Sequence, residues 1–172
     1  LIEAIRSSLR RYSHNPQRQT RNAVNYIFKY QQDTNHPNGG FWRLFVTIER
    51  NGFVGLPGGE INARERSFNA ASRELWEETG LDLGTEQRNG NAALMGRFDT
   101  GSNVANFVWV VNGRRLPNQF PTRPNGEVSH VWWMRTNAFQ PLHAVPGSTI
   151  RVVQGVNTRL RQCFEGAWRQ IM

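Results

Sequence analysis

The sequence is poor in several things that would have pointed to particular protein classes. It holds one cysteine, Cys163, in 172 residues. That excludes an intramolecular disulfide and a cysteine-built zinc site, and an apolar helical pattern around Cys163 makes it a small core residue rather than a nucleophile. No apolar run approaches the roughly 18 to 20 residues that cross a bilayer, so a soluble chain without membrane contact is expected. The opening segment from Leu1 is amphipathic and lacks a charged stretch followed by an apolar one, so no secretory signal is visible and a cytoplasmic location is expected. The four histidines, His14, His36, His130 and His143, have no metal-ligand spacing and read as loop or surface residues. Lysine is scarce as well, since twenty of the 21 basic residues are arginine. Arginine suits bidentate phosphate recognition, although a genomic preference accounts for the bias equally well.

What is present argues for one folded domain with at most a small appendage. The apolar share is 38%, with ten Phe, six Trp and three Tyr, which suffices for a core. The charge is unevenly placed. Residues 59–82 carry six acids (Glu60, Glu65, Glu74, Glu77, Glu78, Asp82) against three bases (Arg64, Arg66, Arg73), a balance of −3. With +8 overall, the rest of the chain carries +11. An acidic island in a basic protein suits a site that holds divalent cations while its surroundings attract polyanions.

Ile2, Ile5, Leu9 and Tyr12 form one helical stripe and Val24, Ile27 and Phe28 a second, before a break at His36 to Gly40. Residues 1–40 are therefore expected to be a helical N-terminal extension, and residues 41–172 the main domain. Strands are expected at residues 41–49, through Val54 and Leu56 after an Asn51-Gly52 hairpin turn, near Leu94 to Asp99, at Ala105 to Val111, and at Val128 to Met134. Val156, Leu160, Cys163, Phe164, Ala167 and Ile171 keep the spacing of a closing amphipathic helix. The fold class expected is α/β, a mixed sheet covered by helices. Phe41, Trp42, Phe107 and Trp109 are expected to pack in the core rather than to stack a base.

Between two strand patterns lies Gly58-Gly59-Glu60, then a helical pattern from Asn62 to Thr79, then Gly80. Phe68, Ala71 and Leu75 should form its buried stripe. Asn62 with Glu65 reads as a capping box, and Gly80 as the left-handed C-cap. Its polar face makes less sense as structure alone. Glu74, Glu77 and Glu78 crowd together at the C-terminal end of the helix, where the dipole disfavours negative charge. Clustered carboxylates suit a hard cation such as magnesium, which takes one or two from protein and fills its shell with phosphate oxygens and water. Arg73, next to Glu74 and four residues before Glu77, can orient and partly neutralise the cluster. Three glutamates alone would more readily be a solvated helix face.

The wider spacing overturns that bland reading. Five residues separate Gly59 from Glu65, seven more separate Glu65 from Arg73, and Arg73-Glu74-Leu75-Trp76-Glu77-Glu78-Thr79-Gly80-Leu81 follows without a gap. This resembles the Nudix box, G-x5-E-x7-R-E-U-x-E-E-x-G-U with U aliphatic, and all nine specified positions over 23 residues match. The resemblance implies an α/β/α sandwich and hydrolysis of a nucleoside diphosphate linked to another moiety. It implies that Glu74, Glu77 and Glu78 ligate Mg2+, with Mn2+ as a substitute, and that the Gly59 carbonyl is a further ligand. Glu65, Arg73 and Gly80 would support that geometry. The family's general base is a box glutamate or an acid on a later loop. Glu127, in Pro124-Asn125-Gly126-Glu127-Val128-Ser129-His130-Val131-Trp132, resembles that later acid, and a plain turn acid is the competing reading.

The extra signatures of family members that hydrolyse NADH or coenzyme A are not found. The expected substrate is a small nucleotide or nucleotide conjugate, with hydrolysis of an RNA 5′ end or cap as the alternative that the +11 remainder favours. A non-catalytic Nudix-fold binding module is the third reading, opposed by the complete set of box acids. Whether residues 1–40 pack on the domain, contact RNA or form a homodimer the sequence leaves open.

Overall fold

The structure, a computed structural model, describes residues 20–32, 35, 40–50, 53–100, 103–112, 128–135 and 151–152. These residues build an α/β sandwich on a mixed sheet of eight strands: β1 (Asn22–Gln32), β2 (Gly40–Glu49), β3 (Phe53–Gly55), β4 (Gly58–Glu60), β5 (Ala92–Thr100), β6 (Val104–Val111), β7 (Val128–Arg135) and β8 (Arg151–Val152). Helices α1 (Ser67–Thr79) and α2 (Leu83–Arg88) lie between β4 and β5 in the chain.

The sheet runs β5-β6-β1-β2-β3-β8, with β4 also paired to β1 and β7 to β2. The β1–β6 and β3–β8 pairs are parallel and the others antiparallel. One edge of β1 forks: Asn22 to Val24 pair with β4, and Phe28 to Gln32 pair with β2. That fork delivers the Gly-Gly segment to the start of β1, where α1 also sits.

Strand β1 corrects an expectation. Val24, Ile27 and Phe28 belong to a strand at the centre of the sheet, not to a helix, so residues 22–32 are part of the sheet itself rather than of an extension. The physical reason is burial on both faces. Ala23 and Ile27 are buried on one face, Tyr26 and Phe28 on the other, so no alternation of apolar and polar residues marks the strand. The stripe at Ile2 to Tyr12, the Asn51-Gly52 turn, the closing helix and Cys163 lie outside the described residues.

On the face that α1 covers, Ala23, Ile27, Phe45, Phe107, Trp109, Val131 and Trp133 of the sheet meet Ala70, Ala71 and Leu75 of α1 and Leu81 and Leu83 beyond it. Leu75 is 1% exposed, and burying such a side chain stabilises by about 1.5–3 kcal/mol. Phe107 and Trp109 are core residues, as expected. Phe68 is not part of the buried stripe. It stays 39% exposed and leans its ring on Phe107 and Trp109, at centroid distances of 5.5 and 6.1 Å, while Ala70 takes the buried position.

Helix α1 starts later than its periodicity suggests. Asn62 and Glu65 close a turn ahead of it, with the Asn62 N–H donating to Glu65 Oε1 at 3.1 Å and the Glu65 N–H to the Asn62 carbonyl at 3.0 Å. Only the Glu65 half of the expected capping box forms, and it closes a turn ahead of the helix, whose N-cap is Arg66. The C-terminal end is as expected: Gly80 adopts φ 75° and its N–H donates to the Trp76 carbonyl at 2.8 Å. Helix α2 was not foreseen, although Asp82 caps it by accepting from the Thr85 N–H and hydroxyl at 3.1 and 2.9 Å.

Candidate functional site

Two anchors set α1 on the sheet. The Asn25 amide, 2% exposed on β1, donates to the Ala71 carbonyl at 2.9 Å, and the Thr20 and Ser67 hydroxyls meet at 2.9 Å. The second site element is β4. Its Gly58 and Gly59 pair with Val24 and Ala23, so the Gly-Gly backbone runs along β1 directly beside α1.

A guanidinium organises the acidic face. Arg73 Nε and Nη2 donate to Glu65 Oε2 and Oε1 at 2.9 and 3.0 Å, a bidentate pair. Arg73 Nη1 donates to Glu74 Oε1 at 2.8 Å and to Glu77 Oε2 at 3.2 Å, and Nη2 also reaches the Glu60 carbonyl at 2.9 Å. One side chain therefore ties the turn, β4 and two helix carboxylates together. The bond from Arg73, with that from the Asn62 N–H, holds the Glu65 carboxyl below its usual value. Arg73 is in turn held protonated, chiefly by Glu65.

Exposure grades the acids. Glu65 and Glu74 are 17% and 18% exposed, Glu77 is 48% exposed, and Glu78 keeps its Oε2 withdrawn from solvent. Gly59 presses against this group: a Cβ there would lie 2.5 Å from Glu74 Cδ and 2.7 and 2.8 Å from its oxygens. Only a glycine leaves the Glu74 carboxylate in contact with the β4 backbone.

A NUDIX domain family model matches residues 19–153, well over half of the chain. The chain belongs to the Nudix family. No curated protein matches it by sequence. Among solved structures, Deinococcus radiodurans DR0079 is similar with a TM-score of 0.54 at 14% identity, over 87% of each chain. The Nudix domain of Shewanella oneidensis NrtR, solved with ADP-ribose, has a TM-score of 0.51 at 15% identity, over 93% of this chain and 95% of that one. Both likenesses concern the fold, and the family match from residue 19 takes in strand β1.

This Nudix chain brings Glu65, Arg73, Glu74 and Glu77 into one bonded group with Gly59 packed against Glu74, Glu78 on the next helix position and Gly80 ending the helix. Glu127 lies outside the described residues. Trp76, at the unconstrained box position, is 46% exposed, and His130 is an exposed strand residue whose Nδ1 meets the Ser129 hydroxyl at 2.9 Å. Sequence reasoning missed Asn25, whose buried amide anchors α1. The signal was a lone polar residue amid Val24, Tyr26, Ile27 and Phe28.

Family membership implies a divalent cation, and the donor set has the chemistry for one: hard carboxylate oxygens on one helix face, beside a backbone segment cleared by the missing Cβ of Gly59. Among the described residues no three acidic side chains already converge on one point. Arg73 lies among them instead, bonded to both Glu74 and Glu77.

Proposed function

We propose that this protein is a Mg2+-dependent pyrophosphohydrolase that cuts the anhydride of a nucleoside diphosphate linked to another moiety, with small nucleotide conjugates as substrates. Family membership and the intact box support hydrolysis. The observation that carries the finer reading is the gathering of Glu65, Glu74 and Glu77 around Arg73 beside the Gly59 backbone.

Glu74, Glu77 and Glu78 would hold the cation, with the Gly59 carbonyl alongside. When bound, such an ion neutralises phosphate oxygens and makes a water acidic enough to attack phosphorus in line. The chain's part is positioning. Arg73 and Glu65 fix the helix face against β4, and the Asn25 and Ser67 bonds fix the helix on the sheet. Glu127 is the proposed later acid, serving the cation or accepting the proton of the attacking water.

The test is a panel of nucleoside triphosphates, NADH, ADP-ribose, dinucleoside polyphosphates and capped RNA, incubated with Mg2+ or Mn2+, with products identified by mass. ADP-ribose earns its place because the NrtR domain binds it. The Glu77→Gln variant should lose nearly all metal-dependent turnover, and unchanged turnover would refute the metal assignment. The charge of +11 outside residues 59–82 favours a second reading, hydrolysis of an RNA 5′ end. Unlabelled RNA should then compete, and less so as salt rises; an enzyme of small nucleotides ignores it.

A further inference from the structure

Helix α1 carries its charges the wrong way round at both ends. Anions suit the start of a helix and cations its end. Here the first turn holds no acid, the last turn holds no base, and the N-cap is Arg66, whose side chain makes no capping bond. The proposed cation accounts for the acids at the far end. It does not account for the arginine at the near one.

Arg66 does not stand alone. Arg64 lies two residues earlier, in the turn that enters the helix, at φ 64°, a left-handed conformation that costs any residue with a side chain. Arg21 joins them because both ends of that turn are fastened to the start of β1. The Ile61 N–H donates to the Arg21 carbonyl at 2.9 Å, and the Ser67 hydroxyl meets that of Thr20 at 2.9 Å. All three arginines are exposed. Arg43, Arg73, Arg88 and Arg97 each bond an acceptor, whereas among the described residues the guanidinia of Arg21, Arg64 and Arg66 meet none. Nearby acids do not balance them. Glu65, between Arg64 and Arg66, is paired with Arg73, and Glu60, opposite Asn22, leaves the group net positive.

An aromatic ring borders the group. Phe68, two residues past Arg66, is 39% exposed, and its contacts with Phe107 and Trp109 hold the ring in place. Unpaired guanidinia beside a fixed, exposed ring suit a ligand that alternates phosphates with flat bases, which is the chemistry of a single-stranded polynucleotide. The surface also runs without a break into the acidic face. Glu65, flanked by the two arginines, is held by Arg73, which holds Glu74 and Glu77 as well.

We propose that Arg21, Arg64, Arg66 and Phe68 form a docking surface for single-stranded RNA, which holds the chain beside the acidic face of α1. The guanidinia take successive phosphates and the Phe68 ring takes a base. This rests on the hydrolase reading above and extends it, by naming a moiety that can follow the nucleoside diphosphate. RNA is the polynucleotide favoured because a chain begun from a nucleoside triphosphate keeps an anhydride at its 5′ end, whereas a chain extended from a primer does not.

The test follows a fluorescently labelled single-stranded oligoribonucleotide with a 5′-hydroxyl end by anisotropy, without metal, so that no anhydride is present and nothing is cut. Arg21→Gln, Arg64→Gln and Arg66→Gln combined should lower affinity on the order of a hundredfold near about 0.1 M salt and reduce the slope of log K against log salt by about 2, because each phosphate contact on a single strand contributes about 0.7. Exposed and unbonded, these side chains can be replaced without loss of the fold, which an unchanged thermal unfolding curve checks. Phe68→Leu keeps an apolar side chain on Phe107 and Trp109. It should weaken binding about tenfold and leave the salt slope as it was. An acidic peptide and inorganic polyphosphate, which carry charge without bases, should compete less well than unlabelled RNA. Wild-type affinity and slope in the arginine variant overturn the surface, and so does a peptide or polyphosphate that competes as well as RNA. The hydrolase reading fails separately, as a protein that binds RNA through these arginines yet cuts nothing in the panel.

Discussion

Adjacent glycines in β4 should respond to the same substitution in opposite ways. At Gly59 an added Cβ would come within 2.5–2.8 Å of the Glu74 carboxyl group, the far end of a flexible side chain. Carbon contacts relax near 3.5 Å, so the carboxylate must retreat by about 1 Å. Leaving its rotamer costs on the order of 0.5–1.5 kcal/mol, and Gly59 has no positive φ to add strain. Folding should therefore survive. Catalysis should not, because a group displaced by about 1 Å costs on the order of 100-fold in rate. At Gly58 the added Cβ would run into the Ala23 carbonyl oxygen and come 2.7 Å from Val24 Cα, which is backbone of the central strand and cannot yield. Overpacking of that kind costs about 1–3 kcal/mol, or several degrees of Tm for a chain of this length. Thermal unfolding and metal-dependent phosphate release, measured on Gly59→Ala and Gly58→Ala together, separate the two. Gly59→Ala with wild-type turnover, or with a Tm loss matching that of Gly58→Ala, would refute the proposed contact between Glu74 and β4.

Arg73→Lys keeps the charge but loses the fork that joins Glu60, Glu65, Glu74 and Glu77. It should lower kcat about tenfold or more and stability by about 1–2 kcal/mol, read by steady-state kinetics and urea unfolding. Acid should act through Glu65. Its folded pKa lies below the ordinary 4.5, so its contribution is present above that value and is lost as pH falls through the lower folded one. Glu65→Gln should flatten this part of an acid unfolding curve; an unchanged curve would speak against the Arg73 pair. Asp82→Ala should cost about 1 kcal/mol through the lost α2 cap, with turnover little changed.

How legible these features were depended on the range of the interactions behind them. The Gly80 cap and strands β2, β5, β6 and β7 were readable within a residue or two to their ends, because each rests on neighbours in the chain, whereas the helix expected from Asn62 begins only at Ser67. Phe68 was misplaced because its partners, Phe107 and Trp109, lie some forty residues away and leave it 39% exposed. The strand at Val24 to Phe28 was misread for a related reason. Its apolar residues fall by chance at helical spacing, and only pairing with β6 and β2 makes it a strand.

The sequence by itself determined the acidic box segment. Glu65, Arg73, Glu74, Glu77, Glu78 and Gly80 keep fixed spacing on and around one helix, and helical geometry turns that spacing directly into a shared face. Tertiary structure alone decided what that face meets. The fork of β1 brings Gly59 under Glu74, and pairing of β1, β2 and β7 sets Lys29 opposite Arg43 and over Trp133. Those contacts join residues up to about a hundred positions apart, through sheet register that no local periodicity encodes.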